Sequence, residues 1–430
     1  MRLPNVLGVP SRNREAVRVA VLADSDTRWK WGALTARRIS PPGSPVTGFV
    51  LRGRATPTTR QLAEVGADVA APREVTGAEF LHAVLQDAYD VVVLALVGGT
   101  VQALLHGLAG MAPPRRPVVV TGYVGVVYEK LADGLLLRHG ADVVLANSRH
   151  DARRFRAVYE GVGADASAVV EAALPFLGGA RYAPAPDRDT VVFAAQPSVP
   201  APRADRAYLL RRLVEHARLH PHREVLLKLR SRPGEHTTHV EEHPYQKLAR
   251  GPLPPNLRLV HGHMGEVLDR TDLLVTVSST AALEALHRGV PTAVLTDLGV
   301  REALGNHHFL GSGLLTSWDR LDGGHRPRPD ARWLADQGVA ADGSYATAFD
   351  AARARVLDLL AAPALPPIAP YYTPATAPGY LPGVLGRHRL DAGEPPATSP
   401  VRRVLRDAAR GVYRHGVQRV APVIRRLGEL

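Results

Sequence analysis

The stretch HGHMGEVLDRTDLLVTVSSTAALEALHRGVPTAVL, residues 261–295, decides the fold of this chain. Its apolar run at 272–277 ends in the triplet Ser-Ser-Thr, and a helical pattern begins at once and continues to residue 288. A second apolar run follows at 291–296. Runs that are apolar on both faces and are separated by a helix predict parallel strands covered by helices.

The same alternation extends along most of the chain. Strands are predicted at residues 17–24, 46–52, 68–71, 90–97, 116–121, 142–147, 167–173, 190–195, 223–229, 256–261, 272–277 and 291–296. Helices are predicted at residues 77–88, 100–109, 126–138, 149–161, 204–219, 280–288 and 348–360. The pattern predicts an α/β fold of two Rossmann-like doubly wound domains that face a cleft. The predicted segments are a first domain, a Gly- and Pro-rich linker, a second domain, a Pro-rich irregular segment and a basic helical tail, at residues 1–178, 179–189, 190–362, 363–400 and 401–430.

Two features of the second domain indicate an anion site. Hydroxyl side chains and free backbone N–H groups meet at the start of one helix, at Ser278, Ser279 and Thr280, and such a corner binds phosphate. The same triplet is also an ordinary helix cap, and that alternative stays open. Glu284, one turn into the helix, could reach a ribose hydroxyl.

The strand predicted at 223–229 ends in three cations, Lys228, Arg230 and Arg232. Carboxyl ends of parallel strands meet at one edge of a sheet, so these cations are expected near the phosphate corner. The alternative is a solvated edge of the sheet.

Residues 261–295, with FAAQPSV at 193–199, closely resemble the nucleotide-binding half of GT-B glycosyltransferases that use CMP or CDP donors. These are bacterial sialyltransferases and polysialyltransferases, capsule Kdo transferases and CDP-glycerol polyol-phosphate transferases. The resemblance is good over roughly 190–300 and extends to the first domain only in layout. It looks closest to actinobacterial glycosyltransferases whose substrates are unassigned.

The resemblance implies roles for particular residues. The Ser-Ser-Thr corner would hold the donor phosphate, the loop at His263 and Gly265 would contact the base, and the loop at Gln196 would lie beside the donor. At residues 228–230 the related enzymes carry a Lys or a His-Pro pair, where this chain has Lys-Leu-Arg. The first domain would then bind the acceptor.

Asp24 and Asp26 follow the first predicted strand. One of them is the predicted catalytic base, because transfer with inversion needs a group that takes the acceptor proton, and related sialyltransferases supply a carboxyl from this domain. A helix cap by Asp26 or Thr27 is the open alternative. Metal binding is disfavoured, since neither a third acid nor a His lies nearby in sequence.

Other residues of the first domain are weaker candidates. Glu129 and His139 are secondary candidates for the base. Trp29 and Trp31 are expected in the core rather than stacked on a sugar.

The predicted function is inverting transfer of an acidic sugar, of the sialic acid or Kdo type, from a CMP-activated donor to a glycan or lipid-linked acceptor hydroxyl. One alternative is polyol-phosphate transfer from CDP-glycerol or CDP-ribitol, for which a His base, His139 or His263, is expected. Another is a non-catalytic nucleotide-binding protein. A dinucleotide oxidoreductase is disfavoured, because neither domain's first strand is followed by G-x-G-x-x-G. We expect no cofactor other than the donor, and no metal.

Composition sets further bounds. The chain of 430 residues is long enough for two domains, and the absence of cysteine excludes disulfides and thiolate chemistry. Net charge is +12, and the last 30 residues carry eight Arg against two acids. This tail suits a helix packed on the first domain or an anchor on an anionic membrane surface. We expect the protein in the cytoplasm or peripherally at the inner membrane face, with no nucleic-acid partner.

Overall fold

The computed structural model describes residues 17–53, 55–64, 69–111, 115–126, 130–232, 235, 241–388 and 390. The predicted basic tail at 401–430 lies outside these residues, as does Glu129.

The first half of the chain forms a parallel sheet with the strand order β3-β2-β1-β4-β5-β6-β7. Its strands are β1 (Val19–Ala23), β2 (Val46–Leu51), β3 (Arg73–Val75), β4 (Val91–Ala95), β5 (Val118–Gly122), β6 (Val143–Ala146) and β7 (Val169–Glu171). Its helices are α1 (Asp26–Ile39), α2 (Thr59–Ala63), α3 (Gly77–Asp87), α4 (Gly98–Ala109), α5 (Leu131–Leu136) and α6 (Arg149–Gly161). The strand predicted at 68–71 is wrong: the pairing strand is β3, which lies at the sheet edge and carries exposed Arg73 and Glu74.

The second half forms a parallel sheet with the order β10-β9-β8-β11-β12-β13. Its strands are β8 (Thr190–Ala194), β9 (Glu224–Lys228), β10 (Leu257–Val260), β11 (Leu273–Thr276), β12 (Thr292–Leu295) and β13 (Leu315–Thr316). The helices that follow are α7 (Arg203–Leu219), α8 (Tyr245–Leu248), α9 (Met264–Leu268), α10 (Ala281–Arg288), α11 (Trp318–Asp322), α12 (Ala331–Asp336), α13 (Asp350–Ala361) and α14 (Leu381–His388). The two parallel sheets confirm the prediction of two doubly wound α/β halves.

Each sheet is buried between helices on both faces. Apolar side chains of α3, α4 and α6 pack on one face of the first sheet, and α1 and α13 pack on the other. Trp29 and Trp31 are both buried in that second layer, as expected. A Cβ atom at Gly122 would lie 2.8 Å from the Trp31 ring, so the indole needs a glycine at the end of β5.

The chain returns to the first half at its C-terminal end. Phe349, Ala352 and Val356 join the core of the first sheet, although the sequence predicts that residues 190–362 form the second domain. Beyond α13 the chain crosses the same half, where the Arg116 side chain donates to the Pro366 carbonyl at 3.0 Å. The first half is thus built from two separate parts of the chain, and the segment expected to be irregular contains α14.

Among the described residues, no helix combines the length and the apolar character that a membrane span requires.

Candidate functional site

The two central strands of the second sheet, β8 and β11, define its candidate site. In this strand order the chain leaves β8 and β11 in opposite directions, which opens a crevice at their carboxyl ends. Gln196, which follows β8, accepts a hydrogen bond from the Ser278 backbone N–H at 3.0 Å. The Ser278 hydroxyl donates to the Leu304 carbonyl at 2.5 Å, and Ser278 is buried. Gln196 and Ser278 therefore build the corner.

Ser279 and Thr280 present polar groups at this corner. Ser279 Oγ accepts from the Ala281 N–H at 3.2 Å, so this residue contributes to capping helix α10. Thr280 is the N-cap residue, yet its side chain makes no capping bond. In the described part of the chain, neither its hydroxyl nor its N–H has a hydrogen-bond partner. Thr280 is thus the member of the triplet that is available to an anion.

Lys228 ends β9 and is buried at the crevice. Its Nζ donates to the Leu229 carbonyl at 2.8 Å, which uses one of three donors. Burial lowers the pKa of Lys228 to about 8. Among the described residues, no carboxylate oxygen lies within 4.0 Å of Nζ, so the ammonium has capacity for an anion.

Arg230 and Arg232 differ in their surroundings. Arg230 Nη2 donates to Asp26 Oδ1 at 2.6 Å and also contacts the Thr27 hydroxyl. These partners belong to α1, so Arg230 links the two halves. Arg232 has an exposed side chain and corresponds to the solvated edge that the sequence allowed.

Glu284 is buried on α10, one turn beyond Thr280. Its Oε2 lies 3.7 Å from Lys30 Nζ, another contact between the halves. Burial raises the pKa of the Glu284 carboxyl, and the Lys30 charge opposes that effect. Lys30 also lies over the Phe176 ring, 4.7 Å from its centroid.

His263, at the end of the loop before α9, and Gly265, in the first turn of α9, lie beside these groups. His263 is the N-cap residue of α9, and burial together with the nearby Lys30 charge lowers the pKa of its imidazole. Gly265 lies under that ring, because a Cβ atom there would be 2.7 Å from His263 Cε1. The Gly265 carbonyl accepts from Arg288 Nη1 at 3.0 Å, which fixes the first turn of α9.

Asp24 follows β1, a central strand of the first sheet, as Gln196 follows β8, a central strand of the second sheet. Its Oδ2 accepts from the Val97 N–H at 3.1 Å, across the neighbouring strands β1 and β4. Its Oδ1 accepts from Arg28 Nη1 at 2.9 Å. Asp24 thus joins the carboxyl ends of the two central strands.

Asp26 is the first residue of α1, and Ser25 is the N-cap residue. The alternative in which Asp26 or Thr27 caps this helix is therefore wrong. The Asp26 carboxylate instead faces the second half, where Arg230 holds it.

The secondary base candidate His139 does not join this site. His139 precedes β6, at the amino ends of the strands, and packs against the rings of Tyr159 and Tyr371. Sequence reasoning missed Lys30, whose contact with Glu284 depends on how the halves meet. It also missed Asp151 and His308, which lie at the same junction. The serine three residues before Asp151, a capping signal, was the one local clue to its position.

One cluster in the described residues could hold a cation: His216, His220 and Asp322. His216 Nδ1 lies 2.5 Å from Asp322 Oδ1, and His216 Nε2 lies 3.0 Å from Arg223 Nη1. Arg212 also pairs with Asp322 at 2.9 Å. With two guanidinium groups at its members, the cluster is an ion-pair network at the C-terminal end of α7, remote from the crevice.

Two Rossmann-like halves, with a helix N-terminus and a buried lysine at the strand ends of the second half, are typical of the GT-B fold. The chain belongs to the family described as "Putative glycosyltransferase (DUF6716)", which matches residues 19–358. It is a GT-B transferase. Among curated proteins, none matches the chain in sequence.

Solved structures show the same fold. UDP-GlcNAc 2-epimerase from Neisseria meningitidis, bound to UDP-GlcNAc, is 11% identical with a TM-score of 0.53, over 80% of this chain and 100% of that one. A protein from Listeria monocytogenes described as a putative UDP-N-acetylglucosamine 2-epimerase is 12% identical with a TM-score of 0.50, over 81% and 96%. MnaA from S. aureus, solved with UDP, is 12% identical with a TM-score of 0.50, over 79% of this chain and 95% of that one. At these identities the likeness concerns the fold alone.

Proposed function

We propose that this chain is an inverting glycosyltransferase that moves an acidic sugar, of the sialic acid or Kdo type, from a CMP-activated donor to a hydroxyl of a glycan or lipid-linked acceptor. The observation that carries the proposal is the buried ammonium of Lys228, without a carboxylate partner among the described residues, at the sheet edge that also bears Thr280. The resemblance of residues 261–295 to CMP-dependent transferases supports the choice of nucleotide.

The donor phosphate would bind at Thr280 and Lys228. When the bond between the anomeric carbon and the phosphate oxygen breaks, its electron pair leaves on CMP. Preorganised donors in a site with little water stabilise such developing charge. The Thr280 N–H and hydroxyl, with a positively charged Lys228, supply these donors, and an anion beside Lys228 would raise the pKa of its ammonium again.

An acidic sugar brings a second negative charge, its carboxylate. Arg230 and Arg232 lie just beyond Lys228 on the same strand end. Arg230 is engaged by Asp26, so a donor carboxylate would compete with that contact. A guanidinium group suits this role because its planar fork matches a carboxylate.

A carboxylate of the first half would take the proton of the acceptor hydroxyl while its oxygen forms the new bond to the anomeric carbon. Asp24 and Asp26, the candidates from the sequence, each carry an arginine partner. Either must release that partner before it can act as a base, and the assignment stays a prediction.

One observation favours a second candidate, transfer of a polyol phosphate from CDP-glycerol or CDP-ribitol. His263 lies beside Lys30 and Lys228, and burial lowers the pKa of its imidazole. A neutral imidazole in the crevice could accept the acceptor proton during attack at phosphorus. CMP is again the leaving group.

A ligand panel tests the proposal. Melting temperatures would be measured with CMP, CDP, UDP, GDP and NAD, since a ligand that binds only the folded state raises them. CMP should stabilise the wild type and the exposed-lysine control Lys247→Met, but not Lys228→Met. Release of CMP from CMP-sialic acid or CMP-Kdo should likewise be retained by the wild type and Lys247→Met and lost by Lys228→Met.

Other outcomes are informative. Stabilisation by UDP alone would overturn the choice of nucleotide, and UDP belongs in the panel because the fold neighbours were solved with UDP or UDP-GlcNAc. CMP release from CDP-glycerol alone would select the second candidate. Nucleotide binding without turnover of any donor would indicate a non-catalytic binding protein.

The proposed lipid-linked acceptor gives the basic tail a role as an anchor, inferred from its sequence. Deletion of residues 396–430 should abolish sedimentation with anionic vesicles at low salt and leave the melting temperature unchanged. A lower melting temperature, with no vesicle binding by the parent protein, would make the tail structural.

A further inference from the structure

A small crevice between the halves lies next to the N-terminus of α10. The first half lines it with Gly125, Asn147 and Asp151, and the second half with Leu283, His308 and Gln337. The crevice encloses about 210 Å³ of space including its open mouth. Within it, the region that the centre of a water molecule can occupy measures about 10 Å³. That is the space of one bound water or one hydroxyl group.

The crevice adjoins the proposed phosphate corner. A Cβ atom at Gly125 would lie 2.8 Å from Thr280 Oγ1, so the loop after β5 closes directly on the N-cap residue of α10. Leu283 lies three residues further along that helix. A group in the crevice would therefore sit beside a donor whose phosphate is held at Thr280.

Two buried polar atoms at this crevice have no hydrogen-bond partner in the described structure: Asp151 Oδ1 and His308 Nε2. Asp151 is only 4% exposed. Buried polar groups are normally hydrogen-bonded, and an unsatisfied one needs an explanation. The two residues come from opposite halves and line the same crevice.

Helix capping engages only part of the Asp151 carboxyl group: the Ser148 side chain hydrogen-bonds to it and acts to lower its pKa, whereas Oδ1 has no hydrogen-bond partner in the described structure. At the start of α6 the Asp151 backbone N–H donates to Ser148 Oγ at 3.0 Å, and this bond completes the cap. The carboxylate oxygen Oδ1 lies 3.8 Å from Arg154 Nη1, an ionic contact longer than a hydrogen bond. That oxygen keeps an open acceptor position.

The surroundings give Asp151 the protonation behaviour of a base. Burial raises the pKa of its carboxyl to about 6, against the opposing charge of Arg154. Burial lowers the pKa of His308 to about 3, with His150, Arg154 and His307 acting in the same direction. Tyr123, from the loop after β5, also interacts with the Asp151 carboxylate. At pH 7 the carboxylate is charged and the imidazole of His308 is neutral.

We propose that Asp151 is the general base of this enzyme and that the acceptor hydroxyl binds between Asp151 and His308. The inference rests on the proposed function. As the donor's glycosidic bond breaks and its electron pair leaves on CMP, the acceptor oxygen forms the new bond to the anomeric carbon. Its proton moves to Asp151 Oδ1 and then to solvent. His308 Nε2 holds the hydroxyl through a hydrogen bond.

The test compares Asp151→Asn with Asp133→Asn, which removes an exposed carboxyl of the same half. CMP affinity and the rate of CMP release from the active donor would both be measured, the latter from pH 5 to 9. We expect Asp151→Asn to bind CMP within about twofold of the wild type and to lose turnover about 100-fold or more. The fall in wild-type turnover below about pH 6 should disappear in the variant. Asp133→Asn should behave as the wild type.

Each contrary result has a distinct meaning. Full turnover by Asp151→Asn overturns the inference and leaves the proposed function standing. Loss of CMP affinity in Asp151→Asn, in parallel with turnover, makes the residue structural. Loss of turnover in Asp26→Asn alone assigns the base to Asp26. A wild type that neither binds a nucleotide nor releases CMP refutes the proposed function and this inference together.

Discussion

Replacing Asp151 by Asn should make the folded protein more stable at neutral and alkaline pH. The Asp151 carboxyl has a pKa of about 6 in the folded protein and about 3.9 in an unfolded chain. Keeping it ionised at pH 8 therefore costs the folded state about 3 kcal/mol. The interaction of this charge with the first turn of α6 is already contained in the folded pKa. We expect Asp151→Asn to be more stable by about 3 kcal/mol, or about 3 °C in melting temperature.

The pH dependence distinguishes this effect from a change in packing. Because the folded pKa of Asp151 is the raised one, the wild type loses stability relative to the variant as pH rises from about 4 to 6. The gap should reach about half of its full size at pH 5 and be complete above pH 7. Urea unfolding of both proteins at pH 5, 6 and 8 measures it, with Asp133→Asn expected to match the wild type. A variant that is less stable at pH 8, or a gap that does not change with pH, would refute the reasoning.

Three further perturbations probe the site and the fold. Ser279→Ala combined with Thr280→Ala should weaken CMP binding in calorimetry by about 1–3 kcal/mol; unchanged affinity would reduce the corner to a helix cap. Asp26→Asn should release its arginine partner and tighten donor binding by up to about fivefold, and weaker binding would contradict this. Gly140→Ala, at φ +101° and with its Cβ 2.9 Å from the backbone of residue 369, should lower the melting temperature. Gly161→Ala, in open space, should not.

The sequence predicted the central strands well because these are the segments whose residues decide their own structure. β1 and β4 are short runs of Val, Leu and Ala, and β5 begins with three Val residues. All three strands are buried on both faces, and no other element type accommodates such runs as readily. The edges were harder to predict. β3 contains Arg73 and Glu74, and β13 has only two residues, so neither shows an apolar run.

The sequence predicted the site residues that lie at strand ends, but it did not predict the contacts that form between the two halves. Thr280 follows the buried strand β11 and Lys228 is the last residue of β9, and a strand end can be recognised along the chain. Asp151 meets His308 across more than 150 residues, and Lys30 meets Glu284 across more than 250. Such pairs depend on the approach of two folded halves, and no local spacing encodes that approach.

The return of α13 and the following segment to the first sheet has a consequence for protein engineering. The polypeptide crosses between the halves twice, near residue 180 and again before Phe349. Exchange of the first half, the proposed acceptor-binding half, between relatives would therefore require grafting two separate stretches, since a chimaera joined only at the interdomain linker would place a foreign helix against α1 and strands β5, β6 and β7. A fragment that stops at the linker would likewise expose the apolar surface that α13 covers, and it would be prone to aggregate.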